Sequence, residues 1–327
     1  MTPLIALVTA VAAFVVLIEC GKRIVRSVSV LARSFRVSEF VLSFVLIAFA
    51  TSLPELSVGI NAAISGVPEL SLGDIIGTNI INITLVLGVI AVMSGAISVR
   101  DYDTFSHNRL FQLTIVLAPF ILLMDGTLSR GDGFILLGLL LVHLIRLLHI
   151  DEHIWHRKVL RPHLVSSATA APESDVSVWR QGIILAVALP LMVGATYVVV
   201  YTAKLWAELL AVPVVLVGVL VVATATSLPE LIIGMRSART QHGGVAIGDI
   251  FGAAAINASL ILGVVAIIHP IELQETAILW SGLGFTMFAF LLVYIFLHTK
   301  RTIVRWEGWV LILCYALFVS VQLISLL

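Results

Sequence analysis

The sequence predicts an all-α integral membrane protein of ten transmembrane helices, arranged as two five-helix inverted-topology repeats. Three observations lead there. Of the 327 residues, 60% are hydrophobic and only 12% charged, against roughly 25% charged in an average soluble chain. Lysine and arginine gather on one side of the successive apolar runs. A 38-residue segment, 51–88, recurs without a gap at 226–263.

A membrane helix needs about 20 apolar residues. Such stretches fall near 3–20, 38–65, 71–95, 111–126, 132–149, 181–203, 208–235, 246–269, 276–298 and 306–326. The first is expected to stay as a helix rather than be cleaved. It has no basic residue ahead of it, and Lys22, Arg23 and Arg26 follow it. With ten helices and the N-terminus outside, the inner side receives Lys22, Arg23, Arg26, Arg33, Arg36, Arg100, Arg109, Arg146, Arg157, Lys158, Arg161 and Arg180. Arg236, Arg239, Lys300, Arg301 and Arg305 also fall there, making 17 of the 19 basic residues. Only Arg130 and Lys204 fall outside. The positive-inside rule reads this bias as orientation, so both termini are expected outside a plasma (inner) membrane. A missed helix would scramble the alternation, so the count supports the number of helices as well.

The expected organisation is an N-terminal half over 1–149, a cytoplasmic linker over 150–180 and a C-terminal half over 181–327. The linker is the one long polar stretch. Its His153, His156 and His163 have no partner ligands at fixed helical spacing, so a solvated connection is expected rather than a metal site. Cys20 and Cys314 suggest neither a disulfide framework nor a thiolate site.

The repeat decides the architecture. Residues 51–88 and 226–263 agree at 17 of 38 positions, and the identities include Pro, Glu, Asp, Asn and several Gly. An odd number of helices per half turns the second half upside down. Inverted repeats of this kind are a transporter architecture, with the binding site near mid-membrane at the repeat interface. The repeated regions span about 38–95 and 208–269.

Within them, Glu55 and Glu230 lie in the middle of apolar runs, where a carboxylate is a functional candidate by default. Thr51, Ser52 and Glu55 share a helix face at i, i+1 and i+4, as do Thr226, Ser227 and Glu230. Pro54 and Pro229 remove a backbone donor and free the carbonyls of Ala50 and Ala225. Asp74, Thr78 and Asn82 line one face of the next helix, matched by Asp249, Ala253 and Asn257. The two aspartates read equally as helix caps near the interface or as ion-entry groups. The repeated glycines, such as Gly73 and Gly248, serve helix packing or close approach to an ion. Glu19 beside Lys22 and Arg23 is expected to form a surface charge pair. Carboxylate, hydroxyl, amide and carbonyl oxygens without Cys or His suit a hard cation.

These residues resemble the alpha-repeats of the sodium/calcium exchanger family, within the cation/calcium antiporter superfamily. The matching motifs are Ala50-Thr51-Ser52-Leu53-Pro54-Glu55 and Gly73-Asp74-Ile75-Ile76-Gly77-Thr78-Asn79-Ile80-Ile81-Asn82. The resemblance implies that Glu55 and Glu230 are shared calcium and sodium ligands, assisted by Thr51 and Thr226. It implies sodium-site hydroxyls at Ser52, Ser227 and Thr78, carbonyl donors at Ala48 and Ala223, and Asn82 and Asn257 lining the centre. Asn257 in place of an aspartate points to the potassium-independent type. Two departures stand out. Ala253-Ala254 replaces the second Ser-Asn, and aspartate replaces asparagine at Asp74 and Asp249.

The expected function is therefore secondary antiport, calcium leaving as sodium enters, by a protein that is not an enzyme and needs no cofactor. The expected partners are the lipid bilayer and the transported ions, with no nucleic acid. The alternatives are a proton-coupled exchanger of calcium or another cation, a passive channel, and an intramembrane aspartyl protease using Asp74 and Asp249. The last lacks the Gly-x-Gly-Asp pattern, since Ser71-Leu72-Gly73 precedes Asp74, and leaves the duplicated Pro-Glu unexplained.

Overall fold

The computed structural model describes residues 3–32, 48–98, 102–159, 178–239, 243–273, 276–300 and 302–324. Residues 38–47 of the expected second helix and 160–177 of the expected linker lie outside these. The first half contains α1 (Pro3–Ala32), α2 (Ala48–Thr51), α3 (Leu53–Ile64), α4 (Pro68–Ile81), α5 (Leu87–Ser94), α6 (Tyr102–Leu122) and α7 (Arg130–Val159). The second contains α8 (Val178–Leu210), α9 (Val214–Val217), α10 (Ala223–Thr226), α11 (Leu228–Arg239), α12 (Gly243–Ile256), α13 (Leu262–Ile268), α14 (Thr276–Lys300) and α15 (Arg305–Ile324). Several of these are consecutive pieces of one rod. Among the described residues they make ten rods, of which seven contain a span long and apolar enough to cross a membrane. Helix α7 continues to Val159, ten residues into the stretch expected as linker.

Packing follows an inside-out rule. Leu4, Val8, Val11 and Val15 of α1 and Val187, Tyr197 and Tyr201 of α8 are exposed, as lipid-facing side chains should be. α4 and α12 are buried on all sides, which explains why their apolar residues show no single stripe. Helix ends follow the local chemistry. α3 closes with Gly66 at φ 70°, with Val67 N–H bonding Ala62 C=O at 2.9 Å and Gly66 N–H bonding Ala63 C=O at 3.2 Å. Pro68 then opens α4, where a missing donor does no harm.

The halves interlock, and they do so twice. Strand β1 (Ala96–Ser98) pairs antiparallel with β4 (Thr302–Val304), and β2 (Thr127–Leu128) with β3 (Ile271–Glu272). Each two-stranded clasp joins one strand from each half and buries one apolar pair, Ile97 with Ile303 and Leu128 with Ile271. Close backbone crossings recur in the same way. A Cβ on Gly88 would meet Gly308 O at 2.7 Å, and one on Gly133 would meet Gly263 O at 2.7 Å. Gly88 and Gly263, like Gly133 and Gly308, are 175 residues apart, the offset of the sequence repeat. Helix caps repeat at the same offset. Ser129 N–H donates to Asp132 and Val304 N–H to Glu307, both at 2.8 Å. The duplication therefore extends well beyond the 38 aligned residues.

Candidate ion-binding site

The site begins with two broken helices. One residue interrupts the regular helix in each repeat as a turn with ψ near zero, Ser52 (φ −79°, ψ 1°) between α2 and α3, and Ser227 (φ −75°, ψ −2°) between α10 and α11. Bonds continue on both sides, from Ser52 N–H to Ala48 O at 3.0 Å and from Leu56 N–H to Ser52 O at 2.9 Å. The prolines two residues later cannot donate back to Ala50 or Ala225. Gly21 of α1 lies over both breaks, where its Cβ would contact Pro54 at 3.5 Å and Pro229 at 3.4 Å.

Glu55 and Glu230 emerge just after these breaks, and both are 0% exposed. None of their four carboxylate oxygens has a hydrogen-bond partner. Glu55 stands within electrostatic reach of Glu230 and Asp74, and Glu230 within reach of Asp249 and Asp74. Thr226 lies beside Glu55, and Thr51 beside Glu230, without a hydrogen bond to either carboxylate.

The aspartates are not helix caps. Asp74 is the seventh residue of α4 and Asp249 the seventh of α12, and both are fully buried. Thr51 Oγ1 donates to Asp249 Oδ1 and Thr226 Oγ1 to Asp74 Oδ1, each at 3.2 Å. Each threonine thus ties its repeat to the aspartate of the other. The second oxygen of each aspartate has no partner. The capping alternative fails because the helices begin at Pro68 and Gly243, almost two turns earlier.

Symmetry stops at Thr78. Its hydroxyl lies 3.4 Å from Asp74 Oδ1 and 3.3 Å from Thr226 Oγ1. The equivalent Ala253 has only a methyl group, packed with Ala48 and Ile256. The Ala48 carbonyl accepts from Thr51 Oγ1 (3.0 Å), and the Ala223 carbonyl from Ser227 Oγ (2.8 Å). Both carbonyls are already engaged in this conformation. Ser52 Oγ is buried without a partner.

Asn82 and Asn257 each open a wider π-helical turn, Asn82–Val86 and Asn257–Ile261. Such turns are frequent at functional sites because the extra residue redirects the side chains around it. Asn82 has neither side-chain atom satisfied, and Asn257 has its oxygen free. Asn257 Nδ2 donates to Asn79 Oδ1 at 3.2 Å, and Asn79 Nδ2 reaches Ala254 O at 3.5 Å. Asn79 is a polar contributor that sequence reasoning quoted only as part of a motif. Its signal was its replacement by Ala254 in the second repeat.

Close helix approach brings these groups together. A Cβ on Gly73 or Gly77 would run into the backbone of Val215 or Val219, and one on Gly218 into that of Leu70. At these three positions, therefore, the glycines serve backbone packing. Among the described residues the buried polar set contains no lysine or arginine. Nor does any trio of Asp, Glu, His or Cys form a compact metal centre there. The oxygens are instead spread across the repeat interface as facing pairs supplemented by hydroxyls and amides.

A sodium/calcium exchanger protein family model matches residues 5–148 and 181–324, one segment in each half. The chain belongs to the sodium/calcium exchanger family. It is 27% identical to sodium/calcium exchanger MaX1 of Methanosarcina acetivorans, with 94% of this chain and 95% of that protein covered. It is 29% identical to inner membrane protein YrbG of Escherichia coli, over 84% of this chain and 83% of the relative. Among solved structures it matches the sodium-calcium exchanger NCX_Mj soaked with sodium and strontium. That match has a TM-score of 0.67 and 26% identity, and covers 98% of this chain and 99% of the other. Family membership makes the chain a membrane antiporter rather than an enzyme, and the protease alternative falls away.

Proposed function

We propose that the chain expels calcium across a plasma (inner) membrane in exchange for entering sodium. Glu55 and Glu230 serve as the shared ligands. The observation that carries this reading is the pair of fully buried carboxylates with four unpartnered oxygens. An uncompensated carboxylate in hydrocarbon is too costly to persist, so the pair must be neutralised, by one divalent ion, by monovalent ions or by protons, and this shared requirement is the basis of exchange. Hard oxygen donors select calcium and sodium over softer metals.

Exchange follows from the same electrostatics. With cations bound, the interface is neutralised and the halves can rock about it. Without them, the conformational change would carry bare charge through a low-dielectric core. Thr51, Thr226, Ser52, Ser227 and Thr78 supply hydroxyls, and Asn82 and Asn257 line the centre. Ala48 and Ala223 offer carbonyls once their hydroxyl donors rotate away. Asp74 and Asp249 add two anionic oxygens beside the glutamates. The positive-inside bias supports an orientation with both termini outside and the linker in the cytoplasm. The halves are taken as 1–149 and 181–327 with the connection 150–180 between them, α7 running on to Val159 and α8 starting at Val178 within that connection.

The sodium side is unequal. Thr78 offers a hydroxyl where Ala253 offers none, so Ala253→Ser is expected to strengthen sodium binding by several-fold. Isothermal titration of calcium against purified protein, with sodium, potassium, magnesium and pH varied in turn, tests the reading. Calcium binding displaced by sodium is the expected result. Calcium binding insensitive to sodium but sensitive to pH would remove sodium as the coupling ion.

A further inference from the structure

Away from the central site, the end of α1 and the start of α8 flank an open cavity of about 330 Å³, lined by Arg23, Arg26, Ser27, Arg180, Gln181 and Ile184. Three of these six residues are arginines. Glu19 is the nearest acid on α1, and it is engaged by Lys22. Arg23 and Arg26 have no ion-pair partner among the described residues. Ser27 gives an independent sign that something polar belongs here. Its hydroxyl is buried, 1% exposed, and has no hydrogen-bond partner. Many helix hydroxyls in this chain bond back one turn, as Thr9 does to Ile5 O at 2.9 Å and Thr202 to Val198 O at 2.8 Å, whereas the buried hydroxyls of Ser71 and Thr286 share with Ser27 the lack of a partner. Of these three, Ser27 lines the cavity wall.

The surroundings mark the depth. Trp179, next to Arg180, is 78% exposed, and Ile183 and Val187 along the same helix are also exposed. An exposed tryptophan at the end of an apolar helix marks the interfacial zone of a bilayer. The cavity thus lies where guanidinium groups meet lipid headgroups, with Ile184 on its apolar side. Guanidinium forks match phosphate oxygens bidentately. Basic pockets between membrane helices are suited to phosphate-bearing headgroups.

We propose that this cavity is a binding site for a phosphate anion, gripped by Arg23 and Arg26, with Ser27 as a buried hydroxyl donor and Arg180 adding positive charge at its wall. The phosphate comes either from an anionic phospholipid or from a soluble phosphate. The site is separate from the glutamate pair and does not depend on the ions transported.

The test uses the purified full chain in detergent. Native mass spectrometry with added phosphatidylglycerol or phosphatidylcholine reads the lipid arm, and calorimetry with inorganic phosphate reads the soluble arm. Arg23→Lys/Arg26→Lys keeps the charges that set topology but removes the bidentate forks. Ser27→Ala removes one donor and no charge. Retention of phosphatidylglycerol over phosphatidylcholine, weakened about tenfold in the double variant and less in Ser27→Ala, supports a lipid site. Inorganic phosphate binding weakened in the same order supports a soluble ligand. If phosphatidylglycerol is not retained over phosphatidylcholine and inorganic phosphate either fails to bind or binds both variants as it binds the wild-type chain, the proposal is overturned.

Discussion

Thr51 and Thr226 sit where the two repeats touch, each bonded across the axis to the aspartate of the other at 3.2 Å. That reciprocal pairing makes the aspartates part of the interface. It also separates their charge from their hydrogen bonding. Asparagine at position 74 or 249 still accepts from threonine but carries no charge. Asp74→Asn and Asp249→Asn are therefore expected to fold normally and to weaken cation binding by about tenfold, as read by calcium titration. Unchanged affinity in both would make the aspartates purely structural. Glu55→Gln or Glu230→Gln removes a ligand with no such substitute. Calcium transport should fall by about a hundredfold or more, while the size-exclusion profile stays that of the wild type. The glutamates, hydroxyls and asparagines were legible in the sequence because the duplication picks them out from the apolar background. The cross-repeat bonds and the part of Asn79 were not, since one chain's spacing says nothing about which helix faces which.

At the scale of elements, glycine positions separate contact from tolerance. Gly73 and Gly77 of α4 press on the backbone around Val215 and Val219. Gly138 in α7 and Gly194 in α8 have nothing within 4 Å of an added Cβ. Gly73→Ala or Gly77→Ala should lower thermal stability by about 1–3 kcal/mol or more. Gly138→Ala and Gly194→Ala should be neutral or stabilising by up to about 1 kcal/mol. Thermal unfolding in detergent compares them, and equal effects at all four positions would contradict the observed packing. Every apolar stretch in the described residues became a helix, because length and hydropathy suffice for that. The π-helical turns at Asn82 and Asn257 left no such trace, since an extra residue in a turn does not alter an all-round apolar pattern. The short clasps at 96–98 and 302–304 were likewise invisible, as two or three residues carry too little periodicity to read.

For the whole molecule, the offset of 175 residues links features the 38-residue alignment never reached. It relates the glycine crossings, the acid-capped helix starts and the strand clasps of the two halves. Two interlocked copies facing each other can exchange roles across the membrane, and that is the structural requirement for alternating access. All the carboxylates of the site are sealed from both faces in this conformation, as an occluded intermediate requires. The central claim is that calcium and sodium compete for this one charged interface. Calcium flux in inverted membrane vesicles tests it most directly, with a sodium gradient imposed or absent and with Glu55→Gln as control. Calcium uptake that needs the sodium gradient and vanishes in Glu55→Gln is the predicted result, and uptake indifferent to sodium, or retained in Glu55→Gln, would contradict it.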